Sequence, residues 1–250
     1  FNQMTMWAAS GVVALPTPRE QLRMVAWLVE LATSLLELNE FNGAGAICAG
    51  LQSMPVSRLP YLDLSKYTQY RTQHKQWEEL TRVFEVFNNM RDYRAAHARA
   101  LQAHQEFVPY IPLHLRDLVT LSESYSEPRV VRSALSLEGE QQQQQQPVLF
   151  DVSKVLTIGE AVHAVLAPRK YLTRHDPVDL ALHKCLLNLP FYSEERREKL
   201  SDEAYNRFLL NSKGSDVHDG FFSETTGTRE KMRVVISFNG MEISACLPIT

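Results

Sequence analysis

Residues 107–123 read FVPYIPLHLRDLVTLSE, an approach marked by prolines and followed by a short amphipathic helix. Pro109 and Pro112 break any incoming helix and favour an extended approach. The helix that follows has one apolar face at i, i+3 and i+4, formed by Leu115, Leu118 and Val119. It ends at a lone carboxylate, Glu123, just before a polar segment. The stretch therefore predicts a rigid apolar helix with one acid near its tip.

The composition is that of an ordinary globular protein. Of the 250 residues, 44% are hydrophobic and 22% are charged, and the formal net charge is −3. This length suits one large domain or two small ones. The nearly neutral balance gives no electrostatic reason to expect binding to nucleic acid or to an anionic membrane. Charges interrupt the longest apolar stretches well before a membrane-spanning length, so no transmembrane helix is expected.

Neither the cysteines nor any known motif in the sequence indicates a cofactor. Cys48, Cys185 and Cys246 are odd in number and far apart, which argues against a disulfide framework or a zinc site and favours a reducing, cytoplasmic compartment. The sequence contains no Gly-rich phosphate loop, no Cys-x-x-Cys, no His-Glu-x-x-His and no nucleophile elbow. We therefore expect no cofactor and no metal site.

Two further groups of residues could form a binding site, but each is better explained as an ordinary helix surface. His97 and His104 could share a helical face as a metal pair, but a solvated face is the favoured interpretation. A group of arginines near Tyr93 could contact RNA, although nearby acids dilute it and favour a mixed-charge helix face. The arginines concerned are Arg91, Arg94 and Arg99.

The periodicity predicts an all-α fold with a short β-hairpin near the C-terminal end. Thr17 is placed to cap the helix that starts at Pro18, and Asn39 or Asn42 is placed to cap the next one. Strand-like alternation flanks Asn239-Gly240, a hairpin signal. Residues 122–147, which include the glutamine tract 141–146, predict a disordered insertion. The expected helices cover about residues 1–15, 18–38, 42–51, 65–87, 92–106, 151–166, 177–187 and 193–210.

Ordered sequence blocks resemble the catalytic domain of guanine nucleotide exchange factors for Ras-family GTPases. They are ELNEFNG at 37–43, AGLQSMPVSRL at 49–59, FVPY at 107–110 and LRDL at 115–118, followed by YLT at 171–173 and LNLPFYSEE at 187–195. The helix that holds Trp7 is similar to the one that precedes the family's buried helix. The resemblance implies a RasGEF-like domain over residues 1–210, with residues 124–147 inserted at a hairpin tip and residues 211–250 as an unassigned tail.

The resemblance implies a helical bowl with a protruding helical hairpin, formed here by about residues 113–123 and 151–166. Glu123 falls where the family has an acid that competes with the nucleotide phosphates for the GTPase's P-loop lysine. Val119 falls where a side chain intrudes on the GTPase's magnesium site. Leu115 and Leu118 are expected to root the hairpin in the bowl. The pocket for the GTPase's switch II is expected to involve Gln52, Tyr93, Tyr110 and Asp117.

The resemblance therefore implies an exchange factor, not an enzyme, that promotes GDP release from a Ras- or Rap-like GTPase by differential binding and without covalent chemistry. We expect no nucleic-acid partner and no direct nucleotide binding, and the partner offers one route to peripheral membrane recruitment. The family's domain begins upstream of Trp7, so an N-terminally incomplete domain is expected. Gly45 stands where the family usually has a larger apolar residue, and Val155-Leu156-Thr157 replaces a basic run. These departures leave open an exchange-inactive GTPase-binding scaffold; a helical domain without a GTPase partner is disfavoured.

Overall fold

The computed structural model describes residues 1–124, 152–167, 184, 187–212, 232–238 and 241–247. Over these ranges the chain is predominantly helical, which confirms the predicted all-α class. The helices are α1 (Asn2–Val13), α2 (Pro18–Glu37), α3 (Phe41–Leu51), α4 (Met54–Ser57), α5 (Arg71–Val83), α6 (Arg91–Gln102), α7 (Ile111–Ser124), α8 (Val152–Leu166) and α9 (Glu194–Ser212). Short 3-10 turns cover Pro60–Leu62, Leu64–Lys66, Thr68–Tyr70 and Phe87–Asn89.

Two strands follow the helices, β1 (Met232–Phe238) and β2 (Met241–Leu247). They pair antiparallel, with Met232 opposite Leu247 and Phe238 opposite Met241. The predicted insertion at 124–147 lies outside the described residues except for Ser124, and most of the predicted helix 177–187 lies outside them as well.

Helices α1, α2 and α3 pack against one another and form the centre of the core. Small residues let α3 approach α1 closely: a Cβ added at Gly50 would lie 2.7 Å from the Thr5 carbonyl oxygen and 2.9 Å from the Ala8 Cβ. Helix α5 packs against α2, and α6 packs against α5. Helices α7 and α8 pack against each other as a pair, and α9 packs against α1 and α4.

One predicted helix cap is confirmed and another is wrong. The Thr17 hydroxyl accepts a hydrogen bond from the Glu20 backbone N–H over 3.2 Å, as predicted for the start of α2. Helix α3 is capped by Glu40, whose carboxylate accepts from the Gly43 N–H over 2.6 Å, and not by Asn39 or Asn42. Asn39 instead adopts a left-handed backbone with φ of 58°, which asparagine tolerates better than most residues.

The prediction of a continuous helix over 65–87 is also wrong at both ends. The carboxylate of Asp63 accepts a hydrogen bond from the Ser65 N–H over 3.0 Å and holds the chain in 3-10 turns until Arg71. After Val83 the chain turns through three left-handed residues, Asn88, Asn89 and Met90. Helix α7 also begins earlier than predicted, because Pro112 lies in its first turn, where proline's missing N–H costs nothing.

A clamp from the segment after α3 fixes the position of α9. Arg58 Nε donates to the Ser201 hydroxyl over 2.6 Å, and the Arg58 guanidinium lies 2.7 Å from the Asp202 carboxylate. The hydroxyl of Ser201, which is fully buried, donates to the Pro55 carbonyl oxygen over 2.6 Å. The SMPVSRL block therefore joins α9 to the helical core. Within the described part of the chain, no helix is both long and apolar enough to cross a membrane.

Candidate functional site

The start of α7 is fixed by the side chain of Tyr93, on α6. The Tyr93 hydroxyl accepts a hydrogen bond from the Tyr110 backbone N–H over 2.9 Å and lies 2.7 Å from His114 Nε2. The Tyr93 side chain has 0% of its surface exposed. Burial raises its pKa, so the phenol stays protonated. One buried hydroxyl thus holds both the residue before α7 and a residue of its first turn.

The ELNEFNG block holds the chain that leads into α7. Val108 donates its N–H to the Asn39 carbonyl over 3.0 Å, and Phe41 donates its N–H to the Val108 carbonyl over 3.0 Å. The Phe41 ring meets the Tyr93 ring edge-on at 5.3 Å. The Asn42 side-chain oxygen accepts from the Ile111 N–H over 3.4 Å, at the first turn of α7. The start of α3 and the start of α7 are therefore tied together.

Charged side chains add a third tie along α7. The Arg94 guanidinium, on α6, forms an ion pair with the Asp117 carboxylate. Arg94 Nε also donates to the Asn89 carbonyl over 2.9 Å, and Arg116 donates to the Asn89 side-chain oxygen. These bonds hold the left-handed turn at 88–90 against the second turn of α7. They leave Asp117 with its negative charge compensated from within the chain.

Two histidines face each other in the contact between α6 and α7, His97 on α6 and His114 on α7, and both are held in the neutral form. Burial and, to a lesser extent, the proximity of His97 lower the pKa of His114 to about 4, while the carboxylate of Asp117 acts in the opposite direction. Burial also lowers the pKa of His97. The two rings lie 5.0 Å apart. Protonating either ring would place a cation in the packed contact between α6 and α7, so this contact is weakened by acid.

His97 is buried, so the predicted solvated face that it would share with His104 is wrong. Its ring packs edge-on against Phe107 at 4.9 Å, and its Nε2 has no hydrogen-bond partner among the described residues. In the same part of the chain, no group of three or more potential metal ligands lies close together. The arginines near Tyr93 do form a mixed-charge surface, since Arg94 pairs with Asp117 and Arg91 lies 3.9 Å from Asp92.

The Tyr110 ring rests directly on Gly45, in the middle of α3. A Cβ added at Gly45 would lie 2.5 Å from Tyr110 Cε2 and 3.0 Å from Phe84 Cε1. Phe84 packs against Tyr110 with ring centroids 5.4 Å apart, and Phe1 meets it edge-on at 5.5 Å. The position at which the sequence indicated a missing pocket residue is therefore occupied by an aromatic ring from the start of α7.

The buried and exposed faces of α7 differ from the prediction. Leu113 is the most buried side chain of α7, with 2% of its surface exposed, and it belongs to the core. Beside it, a half-buried stripe at i, i+3, i+4 and i+7 is formed by His114, Asp117, Leu118 and Leu121. Leu115 is 57% exposed and Val119 is 54% exposed, so Leu115 does not root the helix as predicted. Glu123 is exposed in the last turn. A helix C-terminus disfavours a carboxylate, so Glu123 contributes nothing to the stability of α7.

Gln52 lies at the opposite end of α3 from Asn42, about 15 Å along the helix. It is exposed and lines a groove of about 530 Å³ beside α5 and the turn that follows it. The groove has a mixed lining in which two apolar side chains stand exposed among charged ones: Val86 is 71% exposed and Phe87 is 79% exposed. The structure thus brings Tyr93, Tyr110 and Asp117 together at the base of α7 and places Gln52 in a separate groove.

The comparisons with known proteins agree with this architecture. The sequence model of the RasGEF domain matches residues 1–144, which run from α1 to beyond α7. The chain belongs to the RasGEF domain family. "Ras guanine nucleotide exchange factor A" of Dictyostelium discoideum is 29% identical to this RasGEF domain over 126 residues, covering 50% of the chain and 19% of the relative.

Two further relatives of this RasGEF domain show the same pattern. "Ras guanyl-releasing protein 3" of Homo sapiens is 27% identical over 121 residues, covering 48% of the chain and 17% of that protein. "Ras guanine nucleotide exchange factor P" of Dictyostelium discoideum is 30% identical over 126 residues, covering 49% of the chain and 8% of that protein. The chain therefore spans less than a fifth of the length of these relatives.

Sequence reasoning missed several residues at the base of α7. The sequence gives His114 no role, and it treats Arg94 only as part of a mixed-charge helix face, because single polar residues in a helix give no sign of what they face. Asn42 was considered only as a cap for its own helix, although it serves α7. Phe87 is the last residue of the predicted helix 65–87, whereas the structure places it on an exposed turn beside the Gln52 groove. The polar turn residues Asn88-Asn89 were the available signal for that turn.

Proposed function

We propose that this RasGEF domain promotes the release of GDP from a Ras- or Rap-like small GTPase. The observation that carries the proposal is the anchoring of α7 at its base by Tyr93, Asn42 and Arg94, in a chain whose family match includes this helix. The far end of α7 presents an exposed acid, Glu123, beyond an exposed apolar side chain, Val119. A helix that is fixed at its base and presents an acid and an apolar side chain towards its free end is suited to act as a wedge.

Such a wedge needs no covalent step. GDP is held on a GTPase by contacts of its phosphates with a lysine and a magnesium ion. A carboxylate that binds the lysine, and an apolar side chain that intrudes on the metal, stabilise the nucleotide-free state only. By linkage, a protein that binds this state more tightly than the GDP-bound state lowers the affinity for GDP by the same factor. We assign the first role to Glu123 and the second to Val119.

The GTPase-binding surface extends from the base of α7 to the groove at Gln52. Tyr110 and Asp117 are half-buried and keep part of their surface available to a partner, whereas Tyr93 has none. We therefore propose that Tyr93 supports the surface from behind, through its bond to Tyr110, and does not touch the GTPase. Phe87 supplies an exposed apolar contact beside Gln52, which is the type of anchor that dominates protein interfaces.

The clamp between Arg58 and Ser201 supports a domain that extends through α9, in agreement with the expected boundary near residue 210. We propose that residues 211–250, which include β1 and β2, form a separate tail. We also propose a cytoplasmic location, in which membrane contact comes through the GTPase. The buried Cys48, which is unpaired, agrees with a reducing compartment.

Release of fluorescent GDP tests the proposal directly. The chain is mixed with a small panel of Ras- and Rap-like GTPases loaded with the labelled nucleotide, and excess unlabelled GDP is added. In parallel, binding to each nucleotide-free GTPase is measured. Accelerated release from at least one GTPase is the expected result. Tight binding without release would replace the exchange factor with a GTPase-binding scaffold, and absence of binding to every GTPase would overturn both.

A further inference from the structure

The close contact between Gly45 and Tyr110 couples α3 to α7. Gly45 lies in the interior of α3, where glycine is normally a destabilising choice relative to alanine. Here an added Cβ would lie 2.5 Å and 2.7 Å from two carbon atoms of the Tyr110 ring. Separations this short are not tolerated, so either the ring or the helix would have to move. Only a residue without a side chain fits under Tyr110.

Tyr110 has little freedom to give way. Its backbone N–H is bound to the Tyr93 hydroxyl over 2.9 Å, and its ring is packed against Phe84 and Phe1. The next residue, Ile111, is the first of α7. A displacement of the Tyr110 ring is therefore passed to the start of α7. Since Ile111 and Glu123 are separated by about 18 Å of helix, a small tilt at the base moves the tip by several ångströms.

We propose that Gly45 and Tyr110 are a matched pair that sets how closely the base of α7 approaches α3, and that Gly45 is thereby a positioning residue for Glu123. The ring of Tyr110 takes the space in which a larger apolar residue was expected from the family resemblance. The small residue at position 45 is thus compensated by the large ring of Tyr110, which fills the same space from the segment before α7. The part of the inference that concerns Glu123 rests on the proposed exchange function; the packing part does not.

A double-mutant cycle tests the pair, using Gly45→Ala, Tyr110→Ala and the double variant. The matched control is Gly11→Ala, because Gly11 is also a buried helical glycine, but an added Cβ there meets nothing within 4 Å. The thermal midpoint is measured for each variant. Maximal exchange rate and half-saturating concentration are measured well below the lowest midpoint, so that every variant is folded.

The expected result is that the effect of Gly45→Ala on the thermal midpoint depends on whether Tyr110 is present. Gly45→Ala lowers the midpoint strongly when Tyr110 is present. Combined with Tyr110→Ala it costs much less, because the two shortest contacts are then gone, only Phe84 Cε1 remains at 3.0 Å from the added Cβ, and the helix gains from alanine. Gly11→Ala does not lower the midpoint in either background. In the exchange assay, Gly45→Ala reduces the maximal rate by roughly tenfold or more, as expected when reacting groups are misplaced by about 1 Å. The half-saturating concentration changes less than the maximal rate, since Phe87 and Gln52 in the proposed binding surface are not among the atoms that an added Cβ at Gly45 would meet.

Each alternative outcome decides a different part. Equal loss of midpoint in both backgrounds, or no loss in either, would overturn the matched pair. If the midpoint effect of Gly45→Ala depends on Tyr110 but the maximal exchange rate is unaltered, the matched pair is supported and the positioning role of Gly45 is overturned. Failure of the unmodified chain to release GDP from any GTPase would refute the exchange function and with it the positioning role. The midpoints would still decide the packing.

Discussion

The backbone N–H of Tyr110 donates a hydrogen bond to the hydroxyl of Tyr93 over 2.9 Å, and this bond joins α6 to the residue that directly precedes α7. The Tyr93 side chain is fully buried, so the bond is shielded from water. Helix α7 then runs out from this point to Glu123 in its last turn. The orientation of the exposed end of α7 therefore depends on contacts made at its buried base.

Tyr93→Phe should destabilise the domain, although it removes only one oxygen atom. The change leaves the Tyr110 N–H without its partner in a packed region, which costs about 1–3 kcal/mol of unfolding free energy. Urea unfolding followed by circular dichroism measures the difference. Tyr205→Phe is the control, because Tyr205 is partly exposed on α9 and its loss should stay within about 0.5 kcal/mol. Equal effects of the two changes would contradict the role of Tyr93.

Stability should fall as the pH is lowered from about 6.5 to about 4. The unfolded chain protonates His114 near pH 6.5, whereas in the folded chain burial lowers the pKa of His114 to about 4. Between these values the unfolded state binds more protons, so the unfolding free energy decreases with falling pH. For a single group the slope cannot exceed about 1.4 kcal/mol per pH unit, and partial exposure reduces it.

Urea unfolding at several pH values checks this dependence in the unmodified chain and in His114→Gln. The variant should show a shallower slope, because glutamine does not titrate. A residual slope from the buried His97 is expected, since its pKa is lowered as well. His163→Gln, at an exposed position of α8, should keep the slope of the unmodified chain. An unchanged slope in His114→Gln would show that the buried contact between α6 and α7 is not acid-sensitive.

Phe87→Ala should weaken GTPase binding without changing stability. The side chain is 79% exposed, so its removal leaves no cavity and the unfolding free energy should stay within about 0.5 kcal/mol. An aromatic anchor in an interface is worth roughly 2 kcal/mol, which corresponds to a loss of about thirtyfold in affinity for the nucleotide-free GTPase. Leu210→Ala, at a 73% exposed position on α9, is the control. Equal affinities for the two variants would remove Phe87 from the interface.

Local signals in the sequence predicted much of the fold, and several of the failures occurred where distant residues decide. The cap by Thr17 depends on Glu20 in the same turn, and it was predicted correctly. The cap by Asn39 failed because its side-chain amide points to the carbonyl of Glu106, 3.4 Å away, in a distant part of the sequence. Helix periodicity alone therefore could not identify the residue that caps α3.

The orientation of α7 shows a second limit of sequence reasoning. Counting apolar residues placed Leu115 inward, but the surface under α7 is built from Tyr93 and His97 and accepts the polar side chains of His114 and Asp117. The match between Gly45 and Tyr110 also joins residues that are far apart in the chain. Such pairings follow from the packing of α3 against the start of α7, and the periodicity of neither segment predicts them.

The exchange rate of Glu123→Ala tests the central claim most directly. Fluorescent GDP release is measured with a GTPase that responds to the unmodified chain, beside Glu203→Ala, which removes an exposed glutamate on α9. Glu123→Ala should keep the unmodified thermal midpoint and lower the maximal release rate by roughly a hundredfold, the scale for loss of one group that stabilises developing charge. Glu203→Ala should release GDP at the unmodified rate. Unchanged release with Glu123→Ala would contradict the assignment of α7 as the wedge.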